Sequence, residues 1–502
     1  MTKIILGFEM QDAILAIDQG TTSSRAITYD QDGGQICSAQ QEFAQIYPQA
    51  GWVEHDPEVI WQTCLQTISE VVKIAHEKGY QPIACGITNQ RETTIIWDRK
   101  TGEPIANAIV WQDRRTAPVC DELKDKGFEG LVIQQTGLLL DPYFSATKIA
   151  FLLDNVDGAR ERAKRGELAF GTVDSFLIWR LTNGKVHATD ATNASRTALY
   201  DIRKGRWSEQ LLELFNVPVS VLPEVKDCVA DFGAIDVAHC GFEIPIKGVA
   251  GDQQAASIGQ ACFSPGELKS TFGTGSFLLV NTGDKLIRSK HRLLGTIAYQ
   301  LDGVTTYALE GSILSAGSTI QWLRDGLEII ADASECETLA KSIPDTGGVY
   351  LVPAFAGLGA PHWDAEARGA LLGLTRGSGK AQIVRAALEA VVYQTRDLVE
   401  ALELDGVKLS RIRVDGGMVG NDWLLQFMAD ILGISVERPV NIESTITGVA
   451  ALAAVGIGLF PSLQEFACRR VIDQVFRPQM TDGTHKELLF GWDNALQRVL
   501  NE

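Results

Sequence analysis

Two Gly-Thr turns, one near the start of the chain and one past its middle, limit what this sequence can become more than any other feature. Ala13-Ile14-Leu15-Ala16-Ile17 reads as a buried strand, 18–25 as a polar turn, and Ala26-Ile27-Thr28-Tyr29 as a returning strand. Lys269-Ser270-Thr271-Phe272 leads in the same way into Gly273-Thr274-Gly275-Ser276, and Phe277-Leu278-Leu279-Val280 returns. Gly20 and Gly273 stand about half of the 502 residues apart. That spacing predicts two similar domains, or else a coincidence among the many hairpins that α/β proteins carry.

Around both turns, strand and helix patterns alternate. After Asp56-Pro57, a cap and first turn, Leu65, Ile68, Val71, Val72 and Ala75 recur at helical spacing. Residues 83–87 form a short apolar strand ending in Asn89-Gln90-Arg91-Glu92. In the second half, 313–327 is amphipathic, 349–353 is a strand and 357–361 a loop. A long helix covers 381–404, and Ile412-Arg413-Val414 runs into Asp415-Gly416-Gly417 before a helix over 422–432. The order predicts an α/β fold with ligands at the carboxyl ends of strands.

Charge and cysteine usage narrow the partners. Forty-five Lys plus Arg against 63 Asp plus Glu leave a net charge of −18, which argues against phosphate backbones and anionic membranes and for small molecules. Nine cysteines, an odd number without a C-x-x-C pair, point to reduced thiols in a cytoplasm. The seven histidines have no metal-site spacing. Glu9, Asp12 and Asp18 interrupt any signal-like stretch, and residues 1–11 read as a flexible leader, with Met1 or Met10 as the start. The longest apolar run, 449–460, contains Gly456 and Gly458 and falls short of the ~20 residues of a membrane span. Asn193-Ala194-Ser195 matches a glycosylation pattern without a secretory context.

The chemistry lies at the strand ends. Gly20-Thr21-Thr22-Ser23-Ser24 offers converging backbone N–H groups and several hydroxyls, as a phosphate requires. Asp18 beside it implies Mg²⁺ held through waters, or merely initiates a turn. Arg25 neutralises phosphate charge or is a solvated strand-end arginine. Asp252, after the apolar run 246–250, is placed as a general base for a hydroxyl or as a helix N-cap. Arg91-Glu92 supplies an adjacent donor and acceptor for vicinal hydroxyls, or forms a surface ion pair. Two look-alikes fail: 373–380 has the wrong Walker spacing with Ala381 in place of the metal-holding hydroxyl, and Asp231-Phe232-Gly233 has no H-R-D loop to accompany it.

Seven segments together resemble the glycerol kinases, a family of carbohydrate kinases within the actin-like ATPase superfamily. They are Asp18 to Arg25, Gly51-Trp52-Val53-Glu54-His55-Asp56, Asn89-Gln90-Arg91-Glu92-Thr93-Thr94, Asp141-Pro142-Tyr143-Phe144-Ser145, Gly251-Asp252-Gln253-Gln254-Ala255-Ala256, Phe272-Gly273-Thr274-Gly275 and Arg413-Val414-Asp415-Gly416-Gly417. The phosphate turns specify only the superfamily; the Asn-Gln-Arg-Glu-Thr-Thr and Asp-Pro-Tyr segments point to glycerol.

The resemblance implies two duplicated ribonuclease H-like domains, 12–260 with the glycerol site and first phosphate loop and 261–502 with the adenosine site and second loop, and an interdomain active-site cleft. It implies Mg²⁺-dependent transfer of the ATP γ-phosphate to glycerol, giving sn-glycerol 3-phosphate at the entry of glycerol catabolism. Thr21, Thr22, Ser23 and Arg25 would contact the phosphates, with Thr274 on the opposing loop. Gly317, Gln321, Gly417 and Asn421 would border the adenosine. Arg91, Glu92, Tyr143, Asp252 and Gln253 would hydrogen-bond glycerol, and Trp111 and Phe277 would cover its carbon edge. Asp252 would be the base, and Asp18, through water, and Asp252 the metal-side carboxylates. A homo-oligomer, dimer or tetramer, is expected. The alternatives are a kinase for another polyol or a ketopentose, or an actin-like switch ATPase.

Two positions depart from the family pattern. Phe151 stands where Trp is usual, a packing change, and 237–243 lacks the Gly-rich basic loop with which some bacterial relatives bind a sugar bisphosphate. His239 is a candidate for regulatory phosphorylation or an ordinary solvated histidine.

Overall fold

The structure, a computed structural model, describes residues 4–5 and 8–500. Residues 1–3 and 6–7 of the expected leader lie outside the described residues; Ile4–Ile5 pairs antiparallel with Phe8–Glu9. The chain divides into two compact units, and no single cut separates them. Met1–Ala261 is joined by Gly295–Tyr307 and Ser444–Arg469; Cys262–Leu294, Ala308–Glu443 and Arg470–Glu502 make the second unit.

In the first unit, β1 (Gln11–Gln19) and β2 (Ser23–Tyr29) form the expected hairpin, and β3 (Gln35–Glu42) extends it. Its turn is tighter than the polar run suggests: Asp18 pairs with Arg25 and Gln19 with Ser24 in the ladder, and Gly20 N donates to Ser23 O at 2.9 Å. Ladder bonds use backbone groups, so polar side chains do not end a strand. Helix α1 (Pro57–Glu77) starts as its sequence dictates, with Asp56 Oδ1 accepting from Glu58 N at 2.9 Å and Pro57 in the first turn. It returns the chain to β4 (Tyr80–Asn89), which lies parallel to β1. Then β5 (Ala234–Ile235) and β6 (Ile244–Gly251) complete a sheet in the order β5-β6-β4-β1-β2-β3, with β6 parallel to β4.

One face of that sheet carries helix Ser444–Gly456, which is apolar nearly all round and therefore buried. Glycines let it approach the sheet and the helix over 252–259: a Cβ at Gly86 would meet Val449 O at 2.2 Å, and one at Gly448 would meet Ala255 O of that helix at 1.9 Å. The apolar run 449–460 is thus sheet packing, and no helix among the described residues is long and apolar enough to cross a membrane.

The second unit repeats the plan. Strands β7 (Glu267–Phe272) and β8 (Ser276–Gly283) form its hairpin; β9 (Arg411–Asp415) lies parallel to β7, β10 (Val436–Pro439) parallel to β9, and β11 (Ile472–Phe476) antiparallel beyond. In each unit the first hairpin strand has its partner on one side and a parallel strand on the other. This duplicated mixed sheet is the α/β architecture the two Gly-Thr turns predict. Helix Lys380–Leu404 matches its periodicity.

The amphipathic stretch 313–327 does not form one helix. Strand Val304–Ile313 ends there, and only Gly317–Gln321 and the wider turn Trp322–Gly326 are helical. The cause is local: the N–H groups of Ala316, Gly317 and Ser318 donate to the carbonyls of Thr274 and Gly273 at 2.9–3.0 Å, which sets the helix start at the second Gly-Thr turn.

Candidate functional site

Parallel strands expose their carboxyl ends on one edge, and in the first unit that edge gathers the expected polar residues. In the ladder Asp18 faces Thr88 from one side of β4 and Ala250 faces it from the other, so Asp18 and Ala250 stand about two strand spacings, ~10 Å, apart, and Asp252 follows two residues beyond Ala250. Beyond β6, Gly251 is followed by helix α2 (Asp252–Gly259). Asp252 lies inside the helix start and Gly251 is the N-cap, so the capping reading of Asp252 does not hold.

Arg91 and Glu92 follow β4, and the surface-ion-pair alternative fails for both because they are 3% and 1% exposed. Arg91 Nε lies 2.9 Å from Asp252 Oδ1, and Arg91 Nη1 donates to Gln254 Oε1 at 3.3 Å. Glu92 has φ +61°, a conformation uncommon for a residue with a side chain, and its carbonyl accepts from Ser145 Oγ at 2.9 Å and Thr94 Oγ1 at 3.1 Å. Glu92 Oε1 accepts from Arg196 Nε at 2.6 Å. The Arg196 guanidinium lies 5.6 Å from the Tyr143 ring centroid, and Tyr143 meets Trp111 edge to face at 5.6 Å. Trp111 Nε1 donates to Thr21 Oγ1 at 2.9 Å. A continuous chain of contacts thus runs from the phosphate-sized turn through two aromatic rings to the buried Arg196–Glu92 pair, and Arg91 carries it to Asp252.

The turn itself presents Thr22 exposed at its tip, with Thr21, Ser23 and Arg25 half-buried. Gln90 stabilises it from behind, donating to Gln19 Oε1 at 3.0 Å and Gly20 O at 3.2 Å. His55 lies beneath, 3.4 Å from Gln90 Nε2, and burial pushes its pKa down to about 4. Gln253 is buried, its N–H on Asp252 Oδ1 at 2.7 Å.

Arg196 and Lys148 carry no signal in the local sequence, yet both are fully buried at the site. Lys148 Nζ donates to Tyr143 O at 2.6 Å. Burial lowers its pKa to about 8, against the opposing pull of Glu92, Asp113 and Asp141.

The remaining expected residues belong to the second unit. Thr274 is exposed on the turn after β7, and Phe277 is half-buried on β8. A Cβ at Gly317 would meet Gly273 O at 2.5 Å and Met418 Sδ at 3.8 Å, so the Gly317 and Gly417 segments converge on the turn. Gly416 has φ +92° and its backbone lies against Phe272 O. Gly417 has open space where a Cβ would go. Gln321 ends its short helix, exposed, and Asn421 Oδ1 caps helix Asp422–Leu432 by accepting from Leu424 N at 2.9 Å.

His239 is held rather than solvated. It sits on the short helix Val237–Cys240, its Nε2 3.2 Å from Arg180 O and its ring 5.1 Å from Trp61. Phe151 packs edge to face on Trp52 at 5.7 Å.

Among the described residues no cluster of three or more His, Cys, Asp or Glu could hold a metal alone. Mg²⁺ binds through one or two carboxylates, waters and phosphate oxygens, and Asp18 stands next to the phosphate-sized turn with Asp252 beyond the end of β6 on the same sheet edge.

Comparison with known proteins gives the family. Residues 13–259 match the model of the FGGY family of carbohydrate kinases, N-terminal domain, and 268–457 its C-terminal domain. A glycerol kinase of Marinomonas sp. (strain MWYL1) is 57% identical over 98% of this chain and 99% of its own. One from Rhizobium meliloti (strain 1021) is 57% identical over 97% and 99%. The crystal structure of Plasmodium falciparum glycerol kinase with ADP superposes with a TM-score of 0.93 at 39% identity, covering 98% of this chain and 99% of that one. A xylulose kinase from Lactobacillus acidophilus shares the fold at a TM-score of 0.86 and 23% identity, covering 97% and 98%.

Proposed function

The chain belongs to the FGGY family of carbohydrate kinases, and from that premise we propose that it phosphorylates glycerol, transferring the ATP γ-phosphate to give sn-glycerol 3-phosphate and ADP. The observation that carries the reading is the cluster at the carboxyl edge of the first sheet, where the buried Arg91 and Glu92 stand beside the half-buried Tyr143 and Asp252. Glycerol offers three hydroxyls and little apolar surface, so recognition has to rest on buried donors and acceptors that would be stranded when a hydroxyl is missing.

Asp252 accepts the proton of the attacking hydroxyl, held by the Arg91 guanidinium beside it. Arg91, Glu92, Tyr143 and Gln253 hold the hydroxyls, and Trp111 and Phe277 cover the carbon edge. Thr21, Thr22, Ser23 and Arg25 hold the transferred phosphate, since phosphoryl transfer is chiefly positioning and charge neutralisation. In the second unit Thr274 adds a phosphate contact, and Gly317, Gln321, Gly417 and Asn421 border the adenosine. Asp18 and Asp252 would hold Mg²⁺, Asp18 through water; bound there, the ion neutralises phosphate oxygens.

A coupled ADP-release assay tests the reading. ADP should form with glycerol and Mg²⁺, and far more slowly with xylulose or with no acceptor. Preference for the ketose, or turnover without an acceptor, would overturn it.

A further inference from the structure

The stretch 188–197 holds the one motif that the site leaves unexplained, Asn193-Ala194-Ser195. Strand Ala188–Asp190 runs into the single helical turn Ala191–Ala194, and Asp190, Thr192, Asn193 and Arg196 are all fully buried. Asp190 caps the turn: Oδ2 accepts from Thr192 N at 2.8 Å, and Oδ1 from Asn193 N at 3.1 Å and Asn193 Nδ2 at 2.9 Å.

From this turn three side chains reach the strand ends that carry the site. Thr192 Oγ1 accepts from Gly251 N at 2.9 Å, the peptide N–H just before Asp252. Asn193 and Asn89 exchange two side-chain bonds at 3.0 and 3.1 Å, tying down the end of β4 two residues before Arg91. Arg196 holds Glu92. Behind the turn Asp174, also buried, accepts from Thr189 Oγ1 at 2.6 Å and Asn89 Nδ2 at 3.4 Å.

We propose that Thr192 is a positioning residue for phosphoryl transfer. Its hydroxyl fixes where the backbone leaves β6, and so where Asp252 stands, while the same turn fixes Arg91 and Glu92 through Asn193 and Arg196. The hydroxyl-holding residues and the base therefore keep one relative placement. A displacement of about 1 Å at a reacting group costs on the order of a hundredfold in rate, so an indirect contact of this kind is visible in kinetics. The proposal rests on Asp252 being the base.

The test compares Thr192→Val, which keeps the shape and removes the acceptor, with Thr192→Ser, which keeps the acceptor. Single-turnover transfer with saturating ATP and glycerol is measured per folded site, counted by ATP binding. Thr192→Val should lose about ten- to a hundredfold in transfer rate with the ATP KM within about twofold, and Thr192→Ser should recover to within about threefold. If Thr192→Val does not fold, Thr192→Ala, where a water can satisfy Gly251 N, is read in the same way. Parental transfer by the Val or Ala variant, or no recovery with Ser, overturns the proposal. Asp252→Asn is run alongside: if it still turns over, the base assignment falls, whereas its inactivity beside a fully active Thr192→Val overturns the positioning role alone.

Discussion

Arg91 Nε lies 2.9 Å from Asp252 Oδ1, joining the end of β4 to the start of α2 through a guanidinium that is almost wholly buried. On the proposed function, a buried cation in contact with Asp252 and beside Glu92 would serve the acceptor rather than the nucleotide. Arg91→Ala should raise the glycerol KM by tenfold or more and the ATP KM by less than about threefold, and Arg91→Lys should not restore it, because a single ammonium cannot reproduce the fork. Equal effects on both substrates in steady-state kinetics would contradict the assignment.

Glu92 and Arg196 form an ion pair with both side chains at 2% exposure or less. Removing one partner strands the other charge, so Arg196→Met should destabilise the protein by about 3–5 kcal/mol. The double change Arg196→Met with Glu92→Gln should regain most of that in denaturant unfolding yet leave glycerol binding weak.

Gly417 and Gly448 separate packing from binding. A Cβ at Gly417 meets nothing within 4 Å, so Gly417→Ala should unfold within about 0.5 kcal/mol of the parent while raising the ATP KM severalfold. A Cβ at Gly448 would lie 1.9 Å from Ala255 O, so Gly448→Ala should cost about 3 kcal/mol or more. Calorimetry paired with ATP kinetics reads both.

His55 and His187 are each pushed down to about 4 by burial. Their ordinary value in an unfolded chain is about 6.5. The unfolded state therefore binds protons between those values that the folded state does not, and stability falls as pH drops through that window. Between pH 7 and pH 5 each should contribute a loss of about 2 kcal/mol. Unfolding of His55→Gln over the same range should show a shallower slope; an unchanged slope would remove His55 from the account.

The two hairpins and α1 were legible because their signals are local: apolar runs broken by Gly-Thr, and Asp56-Pro57 before a helical period. The candidate residues were legible wherever they directly follow such strands, as Thr21, Arg91 and Asp252 do. Arg196, Lys148 and Asp190 were not, since a buried charge and a solvated one look alike in a sequence. The available clue was that 189–197 is strongly polar yet contains neither Gly nor Pro, an odd composition for a surface loop. The amphipathic stretch 313–327 does not become one helix because distant carbonyls, those of Gly273 and Thr274, decide where helix begins.

Helix Ser444–Gly456 belongs to the first unit although well over 400 residues precede it. During translation, the sheet that emerges first must wait, with one face uncovered, until nearly the whole polypeptide has left the ribosome. A fragment ending at residue 260 would be born without its own lid, and a stalled or prematurely terminated product should be a client for chaperones rather than a half-enzyme.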